Sequence, residues 1–194
     1  MQHQRWPRFS WRWFDSVQLS TVVLVALALV PAGAHLAELP NKLDLSPADY
    51  MTVQTIYSGW ALFGVVVIGA LASTALHTYL VRNNQAAFAW SAIALCCVAG
   101  TQIVFWLFTY PMNALTENWT VMPPDLDAAR SQWEYSHAAS SVLNLMALVS
   151  IVISTLKSRP LASIEILGAI HRDIEARVAR TYADHIRAPN RATR

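Results

Sequence analysis

The sequence predicts an all-α integral membrane protein that forms a four-helix bundle, and its composition and charge spacing carry that prediction. Of its 194 residues, 55% are hydrophobic and only 13% are charged, whereas a soluble globular domain has about 25% charged residues. No Asp, Glu, Lys or Arg occurs in four long intervals, which lie between Asp15 and Glu38, Asp49 and Arg82, Arg82 and Glu117, and Glu134 and Lys157. Each interval exceeds the roughly 20 residues that a membrane-crossing helix needs. This pattern excludes an ordinary cytosolic enzyme, a disordered chain and a nucleic-acid-binding protein.

The apolar intervals define the spans, and the basic residues define their orientation. We place the spans at about 17–37, 56–81, 86–110 and 137–156, within a bundle at 16–157 that lies between an N-terminal tail at 1–15 and a C-terminal segment at 158–194. All but two of the 14 Lys and Arg residues lie before the first span, in the short loop with Arg82 or after the fourth span; the exceptions are Lys42 and Arg130. Basic residues accumulate on the cytoplasmic side of a membrane, so we expect both termini to be cytoplasmic.

Two of the helices are expected to extend beyond the membrane on the outer side. Ser46-Pro47-Ala48-Asp49 has the composition of a helix N-terminus, with a capping serine and a proline in the first turn. A continuous helix from there to Val81 would be about 52 Å long at 1.5 Å per residue, well beyond a hydrocarbon core. Helix four is similarly expected to begin near Asp127, ahead of its apolar span.

The C-terminal segment predicts an amphipathic cytoplasmic helix of about 25 residues. Apolar residues recur at steps of three or four, or at multiples of them, and they are Ile164, Leu167, Ile170, Ile174, Val178 and Ile186. Two interpretations stay open: the helix lies on the lipid of the inner leaflet, or it docks another membrane-protein subunit.

Polar side chains are costly in lipid and are expected to face the bundle interior. On helix four they follow one another at steps of three and four, which places them on one stripe: Arg130, Glu134, His137, Ser141 and Asn144. The other helices add polar residues at the same level, namely His35 and Glu38, Tyr50, Gln54 and Tyr57, and Asn113. The sequence therefore predicts a polar site in the outer third of the bundle.

Two motifs in this set have the composition of metal ligands. His35-x-x-Glu38 and Glu134-x-x-His137 are i, i+3 pairs on antiparallel helices, and together they could hold one first-row metal ion. Alternatively, His35 and His137 could ligate a haem. Two further hypotheses need neither group: a structural network that joins His35 to Glu134 and Lys42 to Glu38, and a metal-free pocket for a polar substrate.

Three other residues are expected to lie at the membrane boundary. His77, near the inner end of helix two, is expected to snorkel to the interface. Trp119 and Trp133 could line a pocket, but the interpretation that we favour is that they belong to the outer aromatic belt.

Six segments together resemble one family: Ala34-His-Leu-Ala-Glu-Leu-Pro-Asn-Lys42, Gln54-Thr-Ile-Tyr57, Trp60-Ala-Leu-Phe-Gly64, Pro111-Met-Asn113, Asn118-Trp-Thr120 and Trp133-Glu-Tyr-Ser-His137. They are similar to segments of the anthrone-oxygenase-like four-span membrane proteins of bacteria, most of which have no assigned function. The resemblance covers about 16–156 and implies a location in the bacterial inner membrane.

The resemblance implies an oxygenase-like or redox activity on a phenolic or quinone-type molecule. Members with an assigned activity oxidise anthrones to quinones with dioxygen and without a bound cofactor. By this resemblance His137 or Glu134 would be the general base, and Gln54, Tyr57 and Asn113 would orient the substrate and stabilise its oxyanion. The C-terminal helix lies outside the family pattern, which leaves two alternatives: an accessory subunit of a larger membrane complex, or a binder of haem, quinone or lipid.

Overall fold

A computed structural model describes residues 8–158 and 162–187, with side chains described for 13–158 and 170–182. Within these ranges all regular secondary structure is helical. The α-helices are α1 (Arg8–Leu43), α2 (Pro47–Gln54), α3 (Phe63–Leu80), α4 (Gln85–Val104), α5 (Tyr110–Leu115), α6 (Leu126–Ser158) and α7 (Ala162–Arg187). The all-helical prediction is confirmed in this part of the chain.

Four segments are long and apolar enough to cross a membrane: Trp13–Leu43, Trp60–Leu80, Gln85–Leu115 and Leu126–Ser158. Helix α6 contacts α1 and α4, and α3 contacts the same two helices, so the four helices close into a bundle. Fully buried small and β-branched residues fill its interior, including Val25, Ala70, Ala94, Val98 and Ile151. These helices support the prediction of a multi-pass membrane protein.

Helix α6 agrees with the predicted extension, and α1 exceeds its predicted length. The predicted helix start near Asp127 is confirmed, because α6 runs without interruption from Leu126 to Ser158. Helix α1 begins at Arg8, within the predicted tail, while residues 1–7 of that tail lie outside the described residues. It passes through Pro31 and Pro40 and ends at Leu43. This length places Lys42 on the same face as His35 and Glu38.

The prediction that helix two runs unbroken from Ser46 to Val81 is wrong. Ser46 does cap α2, since its hydroxyl accepts from the backbone N–H of Asp49. The chain then forms two short 3₁₀ turns at 55–57 and 60–62, between which Gly59 takes a φ of 85°. A left-handed residue cannot continue an α-helix, so α2 and α3 are separate. We call the side of the bundle that carries α2 the α2 end.

Gly59→Ala is expected to lower the free energy of unfolding by about 1–2 kcal/mol, because a Cβ is unfavourable in the left-handed region. No described atom lies within 4 Å of a Cβ built at Gly59, so the cost arises from the backbone alone. Gly64→Ala is the matched control, because its Cβ site is equally open and Gly64 lies in α3. Unfolding in mixed detergent micelles measures both; equal losses in the two variants would contradict the prediction.

The third predicted helix contains an irregular turn near its C-terminal end. Residues Phe105–Thr109 form a π-helical turn immediately before α5, whose first turn contains Pro111. Irregular backbone in a membrane needs partners from neighbouring elements, and the Gln132 side chain of α6 donates to the Phe108 carbonyl at 3.1 Å. This turn carries the chain into the loop at 116–125.

His77 does not snorkel, contrary to prediction. Its side chain is 0% exposed, and its Nε2 lies 3.0 Å from the Ser154 hydroxyl of α6. Ser154 in turn donates to the Ala87 carbonyl at 2.7 Å. His77 Nδ1 has no hydrogen-bond partner among the described residues, so α6 pairs only one of the two ring nitrogens. A histidine near a helix end can thus be buried against a neighbouring helix, and sequence position alone does not distinguish this from an interfacial position.

Helix α7 belongs to a second unit, 159–194, which is distinct from the bundle unit at 1–158. Its described side chains include the exposed apolar residues Ile170, Ile174, Val178 and Tyr182. The predicted apolar positions Ile164, Leu167 and Ile186 have side chains outside the described residues.

Candidate functional site

A buried ion pair joins α1 to α6 at the α2 end of the bundle. The Lys42 ammonium lies 2.6 Å from Glu134 Oε1, and the two side chains are 4% and 0% exposed. Both residues lie on the interior faces of their helices, and the predicted interior position of Glu134, Ser141 and Asn144 is confirmed. Two charges removed from water at this depth require close mutual contact to remain ionised.

Tyr50 of α2 is the second partner of the same carboxylate oxygen. Its hydroxyl donates to Glu134 Oε1 at 3.0 Å, and the residue is 0% exposed. Burial, and then the Glu134 carboxylate, raise the pKa of Tyr50 above its ordinary value of 10.0. Tyr50 therefore remains a hydrogen-bond donor at all physiological pH values.

Tyr57 connects the ion pair to a second carboxylate. The Lys42 ammonium donates to the Tyr57 hydroxyl at 3.2 Å, and that hydroxyl donates to Glu38 Oε2. The direct distance from Lys42 Nζ to Glu38 Oε2 is 3.9 Å, which exceeds hydrogen-bond length. Glu38 is 38% exposed, so this branch leads from the interior towards the surface.

His35 and His137 lie in contact with each other beside this network, with their ring planes inclined at 36°. Their ring centroids are 4.2 Å apart, and Trp133 lies 4.8 Å from His35 and 4.3 Å from His137. Tyr57 and Trp60 complete the group around His35, at 4.5 and 5.7 Å. The structural network hypothesis predicted contact between His35 and Glu134, and this pairing is wrong. The carboxylate near His35 is that of Glu38, whose Oε2 lies 4.0 Å from His35 Nδ1.

A left-handed segment closes the site from the loop. Glu117, Asn118 and Trp119 have φ values of 47°, 59° and 65°, a conformation that costs energy for residues other than glycine. The turn inserts the Trp119 indole against Tyr50 and Trp133, with centroid distances of 5.4 Å to each. Trp119 and Trp133 are only 6% and 4% exposed, so their assignment to an interfacial belt is wrong.

Asn113 holds both indoles in place. Its side-chain oxygen accepts from Trp133 Nε1 at 2.7 Å and from Trp119 Nε1 at 3.2 Å. The oxygen of this predicted substrate-orienting residue is therefore already engaged by protein donors. Its role towards a substrate stays a prediction.

Several buried polar atoms of the site have no hydrogen-bond partner among the described residues. They are Glu134 Oε2, His35 Nδ1 and both amide atoms of Gln54, a residue that is only 4% exposed. An unpaired buried acceptor costs about 1–3 kcal/mol. Such atoms indicate a place where a polar ligand or water would be stabilised.

The four predicted metal ligands are not arranged as one ligand set. Among the described residues, no group of three or more His, Cys, Asp or Glu side chains could hold a metal ion. One oxygen of Glu134 faces the Lys42 ammonium, whose positive charge opposes a cation. A haem does not fit between the histidines either, because rings 4.2 Å apart leave no space for the macrocycle.

A cavity at the α2 end lies beside the site and does not include it. It has a volume of about 280 Å³ and is lined by Met112, Leu115, Pro124, Asp125, Ala128, Ala129 and Gln132. None of the predicted site residues lines it.

Lys42 and Tyr50 are central to the geometry of the site. The sequence-based prediction did not include them among the catalytic or metal-binding residues. The sequence does indicate that Lys42 belongs to the site, because His35, Glu38 and Lys42 follow one another at steps of three and four on one helix face. Tyr50 precedes Gln54 by four residues and could have been included on the same ground.

The fold and the site define a class: a multi-pass membrane protein with a buried, charged and aromatic site at one end of a four-helix bundle. No protein-family model matches the chain, and no match is found among curated proteins or solved structures.

Proposed function

We propose that this protein is a bacterial inner-membrane enzyme that oxidises a phenolic, anthrone-type molecule with dioxygen, with its α2 end on the outer side and both termini in the cytoplasm. The observation that carries the proposal is Glu134 Oε2, a buried carboxylate oxygen without a partner among the described residues, in a site that also contains the contacting rings of His35, His137 and Trp133. The resemblance to anthrone oxygenases and the distribution of Lys and Arg support the substrate class and the orientation.

The residues of the site have separate tasks in this proposal. Lys42 and Tyr50 hold Glu134 Oε1 and leave Oε2 free to take a proton from the substrate as the general base. His35 and His137 lie where their ring nitrogens can hydrogen-bond the substrate oxygens, and the half-buried Trp60 offers a face for an aromatic ring system. Gln54, through its unpaired amide, and Tyr57, through its ring, orient the substrate from the α2 side.

The reaction balances without another reductant. The anthrone loses the two hydrogens of its methylene carbon, and that carbon gains one oxygen atom of dioxygen as a carbonyl. The second oxygen atom leaves as water with two hydrogens, so dioxygen accepts four electrons and the product is the quinone. Removal of the first proton makes the electron-rich anion that reduces dioxygen.

The test is an oxidation assay on the full chain in nanodiscs. A dihydroxyanthrone is added, and dioxygen consumption and quinone absorbance are recorded against empty nanodiscs, which report spontaneous oxidation. Saturable quinone formation with one dioxygen per quinone supports the proposal. Rates equal to those of empty nanodiscs across a panel of anthrones and phenols would overturn it.

An accessory subunit is the second candidate, and the exposed apolar residues of α7 favour it. Ile170, Ile174, Val178 and Tyr182 lie at steps of four, and each is at least half exposed. Deleting Leu161–Arg194 should release a native partner complex if α7 docks it. Co-purification of the same partners with the truncated chain would contradict this candidate.

A further inference from the structure

We infer that Tyr57 and Glu38 form a directional proton relay that connects the buried Lys42–Glu134 pair with water at the α2 end. The relay runs through four groups in order: the Glu134 carboxylate, the Lys42 ammonium, the Tyr57 hydroxyl and the Glu38 carboxylate. Consecutive groups are hydrogen-bonded, and exposure rises from 0% at Glu134 to 38% at Glu38.

The donors in this chain have a consistent direction. Lys42 donates to the Tyr57 oxygen, and Tyr57 donates its own proton to Glu38. A proton can therefore pass outward without prior rotation of a group: Lys42 gives a proton to the Tyr57 oxygen while the Tyr57 proton moves to Glu38. The protonated Glu134 carboxyl then rotates so that its hydroxyl faces the neutral Lys42 amine and transfers the proton to it, which restores the ion pair.

Tyr57 is required because no other described group bridges the gap. Lys42 Nζ and Glu38 Oε2 are 3.9 Å apart, beyond direct hydrogen bonding. Tyr50 also bonds Glu134, but its hydroxyl is buried and makes no onward bond to Glu38. His35 Nδ1 faces Glu38 at 4.0 Å, which is likewise too long for a transfer step.

In the proposed reaction the relay resets the base. Glu134 takes a proton from the substrate, the relay passes one proton to the outside, and water returns one to the oxygen atom that leaves. This use of the relay rests on the proposed function. The relay itself does not, because exchange between Lys42 and water is measurable without any substrate.

The chain contains only two lysines, Lys42 and Lys157, which makes a direct measurement feasible. Protein labelled with ¹⁵N-lysine in nanodiscs gives two ammonium signals, and Lys157→Arg assigns them. The hydrogen-exchange rate of the Lys42 ammonium with water then reports proton transfer at a group that is 3% exposed.

Tyr57→Phe is expected to slow this exchange by about tenfold or more, equivalent to at least about 1.4 kcal/mol of barrier. Glu38→Gln provides a second variant, which keeps the acceptor oxygen but cannot take up the proton, and it should slow exchange similarly. Tyr135→Phe removes an exposed hydroxyl one residue from Glu134 and should leave the rate unchanged.

The outcomes separate the relay from a structural role of Tyr57. Loosened packing would open the site and accelerate exchange, so unchanged or faster exchange in Tyr57→Phe and Glu38→Gln overturns the inference. The relay and the proposed enzymatic function can be tested separately. If exchange is slow in both variants but the native protein oxidises no anthrone, the relay is supported and the proposed enzymatic function is contradicted.

Discussion

Replacing Lys42 with methionine is expected to lower the free energy of unfolding by about 3–5 kcal/mol. The substitution leaves the Glu134 carboxylate buried at 0% exposure without its cation, which lies 2.6 Å away in the native protein. It also removes the ammonium from the faces of Tyr57 and Trp133, at 4.6 and 4.8 Å, contacts worth about 0.5–2 kcal/mol each. No nearby cation in the described residues replaces it, because Arg130 is bound to Asp127 and the Leu45 carbonyl.

The double variant Lys42→Met/Glu134→Gln is expected to recover most of that loss. Replacing a buried ion pair by neutral groups of similar volume is often close to neutral for stability. The amide introduced in place of the Glu134 carboxylate would retain an oxygen that can accept from Tyr50. Unfolding in mixed micelles should show a positive coupling energy of at least about 2 kcal/mol between the two substitutions.

An exposed ion pair provides the control for this cycle. Asp127 is 81% exposed and lies 2.7 Å from the Arg130 guanidinium. Asp127→Asn should change stability by less than about 1 kcal/mol. A double variant that is no more stable than Lys42→Met alone would show that the ion pair is not what stabilises this end of the bundle.

The four-helix bundle was predictable because it follows from the distribution of apolar and charged residues along the chain. The four uncharged intervals each correspond to one of the apolar segments in the structure, and the capping role of Ser46 was evident from its neighbours. The break at Gly59 was not predictable in the same way. A glycine within an apolar segment is compatible with a continuous helix. In the structure the turn at Gly59 lies between Tyr57 and Trp60, which both contact His35, and this tertiary packing cannot be read from the local sequence.

The position of the site along the bundle axis was predictable, but the pairs of charged residues within it were not. Helical spacing places Glu134 and His137 near His35 and Glu38, yet it does not determine which cation meets which carboxylate. Lys42 meets Glu134 because α1 continues past Pro40, which proline statistics disfavour. The burial of Trp119 depends on three left-handed residues in a loop, a conformation that Glu117 and Trp119 give little local reason to expect.

Glu134→Gln is expected to reduce the proposed anthrone oxidation by about 10²–10⁴-fold, the usual contribution of a general base. The amide retains the size of the carboxylate and an oxygen for Lys42 and Tyr50, but it cannot accept the substrate proton. Turnover is measured as dioxygen consumption and quinone absorbance in nanodiscs. Glu117→Gln makes the same chemical change at an exposed residue of the neighbouring loop and should retain full turnover.

Loss of folding would also abolish turnover, and the Lys42→Met/Glu134→Gln variant separates the two causes. It is expected to be nearly as stable as the native protein and as inactive as Glu134→Gln, because stability depends on the absence of an unpaired buried charge whereas catalysis depends on the carboxylate. A stable double variant that still oxidises the anthrone would show that Glu134 is not the base. In that case His137, which is half-buried beside His35 and Trp133, is the alternative base that the family resemblance implies.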